Sequence, residues 1–382
     1  MVRFSPDGPK KRRDVNNRPL WSVLINSDTD RIMPAEWTPH SATLLNWPSN
    51  RETWPGERMS GVEKVFLQIL ETLLRYEPVV LLVHPDSRTH AEKRISTIGG
   101  LNKRLYMISH PVNDIWARDC GPIVVQRRLA GGESPYDFLF TDWEYNAWGG
   151  KYPPWDEDNQ IPGLLAEQFG VPVEKTGLVL EGGSIETNGE GVFLTTESVL
   201  LNPNRNPGLG RDEIEQALGN HLGAKQIIWL EAGLEGDDTD GHIDDLSRFL
   251  NPSTIMTVVT ENRMNPNYKT LRKNLERLQM ARKADGTSFR IVTLPLPETR
   301  INGTTVDGSI HVPASYANFY IANGAVLLPL YDPKVDEQAL ELFQNYFPSH
   351  DIVGIPCADL IWGQGSIHCI TQQLYGFNPD DK

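Results

Sequence analysis

The sequence predicts an α/β protein in which a helix followed by a buried strand recurs about five times. Three observations carry this prediction: apolar residues switch repeatedly from helical to strand periodicity, short strand pairs lie between those units, and no Pro/Ser-rich linker divides the chain. At 382 residues, length alone would allow two or three domains. The unbroken pattern instead predicts a single domain over residues 31–382, behind a loosely held polar tail over 1–30 that carries the basic cluster Lys10, Lys11, Arg12 and Arg13.

The first unit opens at Ser60, whose spacing to Glu63 fits a capping box, and Val62, Val65, Phe66, Ile69, Leu70, Leu73 and Leu74 then recur at helical period. Pro78 ends that helix, and Val79–Val83 reads as a buried strand. A weaker copy lies at Ile161–Phe169 before Val171–Val173. Clearer ones follow at Arg211–Leu222 before Gln226–Leu230, Asn267–Lys283 before Phe289–Leu294, and Asp336–Phe347 before Asp351–Ile355. Between units, Asn318–Ile321 and Ala325–Leu330 are joined through Asn323-Gly324, a strong hairpin signal because these residues tolerate the left-handed backbone of a two-residue turn.

With 39% apolar and 23% charged residues, the composition is that of a soluble globular protein. No apolar run approaches the roughly 20 residues of a membrane span, and the N-terminus lacks the apolar core of a signal peptide, so a cytoplasmic protein with no membrane partner is expected. Cys120, Cys357 and Cys369 are too few and too scattered for a disulfide framework or a zinc site, and suit free thiols in a reducing compartment. The net charge of -14 argues against a nucleic-acid partner and would draw small cations toward any cleft that concentrates it.

Four segments carry more chemistry than connecting loops require. In Gly363-Gln364-Gly365-Ser366-Ile367-His368-Cys369-Ile370, glycines precede a thiol, as a partly open pocket would need, although a cysteine in an apolar stretch is ordinarily a small buried residue. A thiol nucleophile also needs an acid/base partner. If 366–370 is extended, His368 and Cys369 point to opposite faces, so the adjacent histidine is the wrong partner. His242 is a better one: in an extended His242-Ile243-Asp244, the imidazole and the Asp244 carboxylate share a face. An acidic surface loop is the plain alternative there, and calcium and zinc readings fail on ligand spacing. In Trp116-Ala117-Arg118-Asp119-Cys120, Trp116 offers a flat face to a cation and Asp119 a carboxylate that can take two parallel hydrogen bonds from a guanidinium, unless Arg118 and Asp119 merely pair. Glu181, beside Gly182-Gly183, follows a predicted strand without any phosphate-loop pattern. One thiol, one histidine and at least three carboxylates suit a planar cationic substrate attacked by sulfur.

These segments resemble those of the agmatine deiminase and bacterial peptidylarginine deiminase family: Trp-x-Arg-Asp-x-Gly-Pro from Trp116, Glu-Gly-Gly-Ser from Glu181, Asp-Gly-His-Ile-Asp-Asp from Asp240 and Ile-His-Cys-Ile-Thr-Gln-Gln from Ile367. Met33-Pro34-Ala35-Glu36-Trp37, Trp47-Pro48, Asn146-Ala147-Trp148-Gly149-Gly150-Lys151-Tyr152 and Asn202-Pro203-Asn204-Arg205-Asn206-Pro207-Gly208 are similar too, so the likeness runs from 33 to 373. It implies a pentein fold, a five-bladed α/β propeller of ββαβ modules around a central site. It further implies Cys369 as nucleophile, His242 as acid/base, Asp119 and Asp244 as guanidinium-holding carboxylates and Glu181 in support, with no metal or organic cofactor. Gln364 and Ser366 depart from the family's usual glycine and asparagine, and Gln364 is close enough to the nucleophile to alter substrate access; Cys120 is expected to be structural.

The implied reaction is hydrolysis of agmatine to N-carbamoylputrescine and ammonia through a thiouronium intermediate. Trp116, Asp238 and Gly365 are expected to line the substrate's path, with Asp238, in the acidic run Asp237, Asp238 and Asp240, meeting the distal ammonium. Arginine, free or peptidyl, is the alternative substrate, since Arg118 or Arg205 could bind its carboxylate. A guanidine-binding protein without turnover and a thiol amidase are the rival classes, the latter leaving the Asp119 and Asp244 pair without a purpose. Homo-oligomerisation is left open.

Overall fold

Parallel strands need a crossover connection of about a dozen residues or more, so a helix between two apolar runs should return the chain to the same sheet. The computed structural model, which describes residues 21–25, 29–99, 104–128, 136–298, 305, 308 and 311–379, shows this arrangement in five separate sheets of three or four strands. The basic cluster at 10–13 lies outside the described residues.

Every sheet contains the same order: a strand antiparallel to a second, then a helix, then a third strand parallel to the second. Ser247–Asn251, Thr254–Val259, helix Tyr268–Met280 and Arg290–Pro295 form one such set. Tyr320–Ala322, Ala325–Leu330, helix Pro333–Tyr346 and Asp351–Pro356 form another, with the expected Asn323-Gly324 turn. Ile123–Arg128, Tyr136–Glu144, helix Ile161–Phe169 and Val173–Val179 repeat it, with Arg31–Ile32 added at the edge. Glu186–Thr187, Val192–Thr196, helix Arg211–Leu222 and Gln226–Leu230 do so again. The remaining sheet runs Ala42–Asn46, helix Arg58–Tyr76, Val79–Val83, helix Arg88–Ser96 and Leu105–Ser109, and its antiparallel strand is supplied by Gln372–Leu374.

Val79–Val83 is buried along its whole length, as a parallel strand covered on both faces should be. The sequence reading did not include helix Arg88–Ser96 and strand Leu105–Ser109, and its other differences here fall at element ends. The first helix starts at Arg58, ahead of Ser60, and Glu63 makes no capping box because its carboxylate is taken by His90 Nε2 at 2.7 Å and Arg94 Nε at 2.9 Å. The last helix starts at Pro333, where the Asp332 side chain accepts from Lys334 N at 3.1 Å, a cap and N1-proline signal that the apolar period alone did not register. The helix expected to reach Lys283 ends at Met280, and the strand expected at Val171–Val173 begins where that range ends. Ser22–Leu24, inside the expected tail, pairs antiparallel with Gln226–Leu230, so the ordered chain reaches further toward the N-terminus than residue 31.

Gly223 caps helix Arg211–Leu222 with φ +75°, and a Cβ there would sit 2.0 Å from the Arg31 carbonyl oxygen. Left-handed backbone costs a non-glycine residue about 1–2 kcal/mol before any displacement of Arg31. Gly223→Ala is expected to lower the unfolding free energy by at least that amount, read from the urea midpoint of the full chain at unchanged m-value.

Candidate active site

Five segments lie immediately ahead of the antiparallel strands just described: Asp119 before Ile123–Arg128, Glu181 and Gly183 before Glu186–Thr187, Asp244 before Ser247–Asn251, Asn318 before Tyr320–Ala322, and Cys369 before Gln372–Leu374. Each sheet therefore sends one segment to a common place. Cys369 Sγ lies 3.9 Å from Asp244 Oδ2 and accepts from Asn318 Nδ2 at 3.1 Å. Asp119 Oδ1 accepts from Gly183 N at 3.1 Å and stands 3.8 Å from His242 Nδ1, whose other nitrogen is 4.0 Å from Glu181 Oε2. Gly183 has to lack a side chain: a Cβ there would be 2.5 Å from His242 Nδ1, 2.9 Å from Asp119 Oδ1 and 3.1 Å from Asp244 Oδ2.

The local backbone differs from the extended forms expected. Residues 366–371 form tight turns, with Ile370 N on Ser366 O at 3.3 Å and Thr371 N on His368 O at 3.2 Å. His368 and Cys369 consequently converge on one oxygen, Asp244 Oδ2, instead of diverging. His368 is still a poor acid/base, for another reason: its Nδ1 is held by Asp244 at 2.7 Å and its Nε2 by Glu36 at 2.8 Å. Ile243–Asp245 is a single 3₁₀ turn, and His242 precedes it with its backbone N–H fixed on Asp237 Oδ2 at 3.1 Å. Ala117–Cys120 is one helical turn that sends Asp119 toward His242 and Arg118 the other way, onto Gln373 Oε1 at 2.7 Å and Glu36 Oε2 at 3.3 Å.

Arg118 and Arg205 are thus unsuited to bind a substrate carboxylate. Arg205 is buried against Glu181 Oε1 and Asp240 Oδ2, each at 2.6 Å, with its remaining arm on Thr239 O at 2.8 Å. Cys120 is buried, with its sulfur on Trp116 O at 3.2 Å.

A cavity of about 760 Å³ opens onto Asp119 and Cys369, and Trp116, Gly365, Gln364 and Asp238 lie on its wall. A Cβ on Gly365 would meet the Trp116 ring at 2.3 Å and Cys369 Cβ at 3.0 Å. Asp238 Oδ2 accepts from Tyr152 OH at 2.6 Å, its carbonyl oxygen accepts from Lys151 Nζ, and Asp240 is neutralised by Lys151 and Arg205. Ser366 is turned away from the cavity and bonds Tyr331 OH at 2.7 Å.

Sequence reasoning missed three contributors. Asn318 was read only as the start of a strand. Glu36 sits beneath the site, with Oε1 accepting from Ile321 N at 2.8 Å and 2.9 Å from Arg248 Nη2, the latter an ion-pair contact and not an aligned hydrogen bond. Trp148 donates from Nε1 to Asp119 Oδ2 at 3.0 Å. It does so from an unusual backbone: Ala147, Trp148, Gly149 and Gly150 all have positive φ, a single left-handed turn whose non-glycine members cost about 1–2 kcal/mol each. The Asn146 side chain, accepting from Gly149 N at 2.8 Å, holds that turn. The signal for Trp148 was its motif, Asn-Ala-Trp-Gly-Gly, to which composition and period assign no role.

Burial and like charge set the protonation. Burial pushes the Cys369 thiol well above its ordinary range, and Asp244, Asp245 and Asp119 push it further, so the resting group is a thiol. Burial opposes a charge on His242, but Asp119, Asp244, Glu181 and Asp237 outweigh it and raise the imidazole above its ordinary value. Burial pushes Asp119 up to about 6, with His242 opposing and Asp244 and Glu181 assisting. Asp244 is held below the usual carboxylate range despite burial, by the hydrogen bond and charge of His368. Buried polar atoms ordinarily find partners, yet His242 Nε2, Glu181 Oε2 and Asp244 Oδ1 have none among the described residues. Ligand-type atoms of Asp244, Asp245 and Cys369 lie within 4.8 Å of one another, with Asp244 Oδ2 on His368 Nδ1 and Asp245 Oδ1 accepting from Asn318 Nδ2.

Known proteins resemble this chain in sequence and in fold. The family model of Porphyromonas-type peptidyl-arginine deiminase matches residues 32–374. The agmatine deiminase of Pseudomonas fluorescens is 36% identical over 361 residues, covering 89% of this chain and 94% of that protein. The structure of the agmatine deiminase of Enterococcus faecalis superposes with a TM-score of 0.82 at 30% identity, covering 93% of this chain and 99% of the other. That of C. jejuni agmatine deiminase with substrate bound gives 0.79 at 29% identity, with the same 93% and 99% coverage. The chain belongs to the agmatine deiminase and Porphyromonas-type peptidyl-arginine deiminase family.

Proposed function

We propose that this protein hydrolyses agmatine to N-carbamoylputrescine and ammonia, with Cys369 as nucleophile. The observation that carries the reading is the convergence of one thiol, one histidine and the carboxylates of Asp119 and Asp244, with three buried polar atoms around them still able to take a hydrogen bond. In this reading the five sheets are the blades of a pentein propeller, each supplying one segment to a central site. The buried free cysteines suit a reducing compartment, and the cytoplasm is the location we assign.

Asp119 and Asp244 hold the guanidinium charged and planar against Cys369. The incoming cation offsets the carboxylates that keep the sulfur protonated, so with substrate bound the thiol releases its proton to solvent and becomes thiolate, while His242 keeps its own. Sulfur adds to the guanidinium carbon, the carbon–nitrogen bond breaks, and the leaving nitrogen takes a proton from His242 and departs as ammonia. Water then gives its proton to His242 as its oxygen bonds the same carbon. The sulfur–carbon bond breaks, the hydroxyl of the adduct gives its proton to sulfur as its carbonyl forms, and the ureido product leaves with the thiol restored. Glu181, 4.0 Å from His242, supports the imidazolium charge.

Agmatine is favoured over arginine because Arg118 and Arg205 are consumed by internal partners, while on the cavity wall Glu52, Asp86, Asp114 and Asp238 outnumber Arg51 and Lys151, the latter already paired with Asp240. A carboxylate there meets like charge, a cost of several kcal/mol. Ammonia release is therefore expected to show a kcat/KM for agmatine about a hundredfold above that for arginine or a C-terminal arginyl peptide. Comparable efficiency with arginine would sink the substrate assignment.

Cys369→Ala should lower turnover more than about a thousandfold while agmatine still binds, measured by calorimetry. Undiminished function in that variant would mark the protein as a guanidine binder. Because the ionised form of Asp119 is the one that binds, activity should fall as pH drops through about 6. Trp148→Phe deletes a hydrogen bond that favours the ionised form, so the acid limb of the kcat/KM profile should move upward by about one pH unit.

A further inference from the structure

Gln364 stands on the wall of the same cavity as Cys369 and Trp116, with 5% of its surface exposed. It closes the 3₁₀ turn Leu360–Gly363, its backbone N–H on Ile361 O at 2.9 Å, in a left-handed conformation with φ +74°. Glycine is the usual residue where a helical turn ends this way, because a Cβ is disfavoured there. Among the described residues, the other non-glycine residues of positive φ are Ala147, Trp148 and Asp240. These belong to turns that hold the site: Trp148 donates to Asp119, and Asp240 pairs with Lys151 and Arg205. Backbone strain of this kind persists where function needs a side chain in that place.

The neighbours of Gln364 have no room for a side chain. A Cβ on Gly363 would meet the Trp54 ring at 2.2 Å and Thr53 Cγ2 at 3.1 Å, as one on Gly365 would meet the Trp116 ring and Cys369 Cβ. The backbone of 363–365 therefore lies against the two indoles, whose centroids are 5.7 Å apart, and leads toward the thiol. Gln364 carries the one side chain of this stretch. A guanidinium held at Cys369 lays its chain past Gly365 and Trp116, and the next group it meets is Gln364. A carboxamide is neutral, so it sorts what reaches it by volume instead of by charge. A straight methylene chain passes, whereas a branch has to displace a side chain packed at the end of a turn.

We propose that Gln364 is a specificity-determining residue: its side chain narrows the cavity beside Gly365, admitting guanidines with an unbranched chain and refusing those with a substituent on the carbon that bears the distal amine. The proposal rests on the reading of Cys369 as nucleophile and agmatine as substrate. It adds to the acidic wall a second filter that does not depend on charge.

L-argininamide separates the two filters. It differs from agmatine by one neutral carboxamide on the carbon bearing the amine, and at about pH 7 both molecules carry the ammonium. The full-length protein should prefer agmatine by about a hundredfold in kcat/KM, the scale on which a pocket refuses an added group. Gln364→Gly suits the left-handed backbone and should fold, as thermal melting checks. It should raise kcat/KM for argininamide about tenfold and raise KM for agmatine about threefold at similar kcat, because only uniform binding is lost. Gln364→Glu keeps the volume and should keep the hundredfold preference. An unchanged preference in Gln364→Gly would overturn the proposal and leave Gln364 as the end of a turn; a preference lost equally in Gln364→Glu would also overturn it, since volume is retained. Absent agmatine turnover in the unmodified protein would instead overturn the deiminase reading, and the ratio of calorimetric Kd values for the two guanidines across the same proteins would then judge the filter.

Discussion

The architecture of the site depends on one buried carboxylate, Glu36. Its two oxygens reach Arg248, Ile321, Arg118 and His368, and Arg248 passes the connection to Glu186 through Nε at 2.8 Å. Those partners belong to all five sheets or to the segments leading into them. Against the cost of burial, Arg248, then His368 by charge and hydrogen bond, and then Arg118 keep Glu36 ionised far below the usual carboxylate range. Such a cluster contributes little net stability relative to a packed apolar core, but losing one partner leaves uncompensated charge, typically at a cost of about 3–5 kcal/mol. Glu36 therefore acts as the fastener that registers five sheets against one another, and its position directly under His368 ties that registration to the nucleophile turn.

Above that fastener the problem is an excess of negative charge. Asp119, Asp244, Asp245, Asp237 and Glu181 crowd around one thiol and one imidazole, and not all can ionise together. The protein answers with unequal environments: burial and its acidic neighbours push Asp245 well above the carboxylate range, whereas Asp244 stays below it through His368. A site so arranged stores its proton on sulfur until a cation arrives. Under the proposed mechanism, selectivity for a positively charged planar group follows from the same electrostatics that keep the thiol protonated.

Much of this was legible in the residues, and the limits have physical causes. Helix–strand alternation located five crossovers because burying a stripe or a sheet face imposes a period, and Gln226–Leu230 and Arg211–Leu222 fall where the period puts them; it missed helix Arg88–Ser96, which buries only Ala91 and Ile95 and so shows no apolar stripe. Helix ends were missed where a side chain had a better partner far away, as Glu63 has in His90 and Arg94. The residues of the site announced themselves by chemical type, but their backbone did not: the segments around Asp119, His242 and Cys369 are turns, and an alternating face rule cannot orient a turn. Asn318 and Glu36 escaped because an amide ahead of a strand and an acid in a Pro-rich opening look ordinary until residues 51 and 332 positions away are brought to them.

The strand Gln372–Leu374 completes the sheet begun by Ala42–Asn46, and it directly follows the turn carrying Cys369. This gives the molecule a built-in order of assembly. During synthesis the carboxylates, the histidine and the amide all leave the ribosome before the sulfur does, and the first sheet stays one strand short until nearly the whole chain exists. Closing so long a loop is slow compared with forming local helix–strand contacts. Under the proposed mechanism a nascent or truncated chain carries most of a guanidine pocket without its nucleophile, and reactivity arrives in the same event that completes the first sheet.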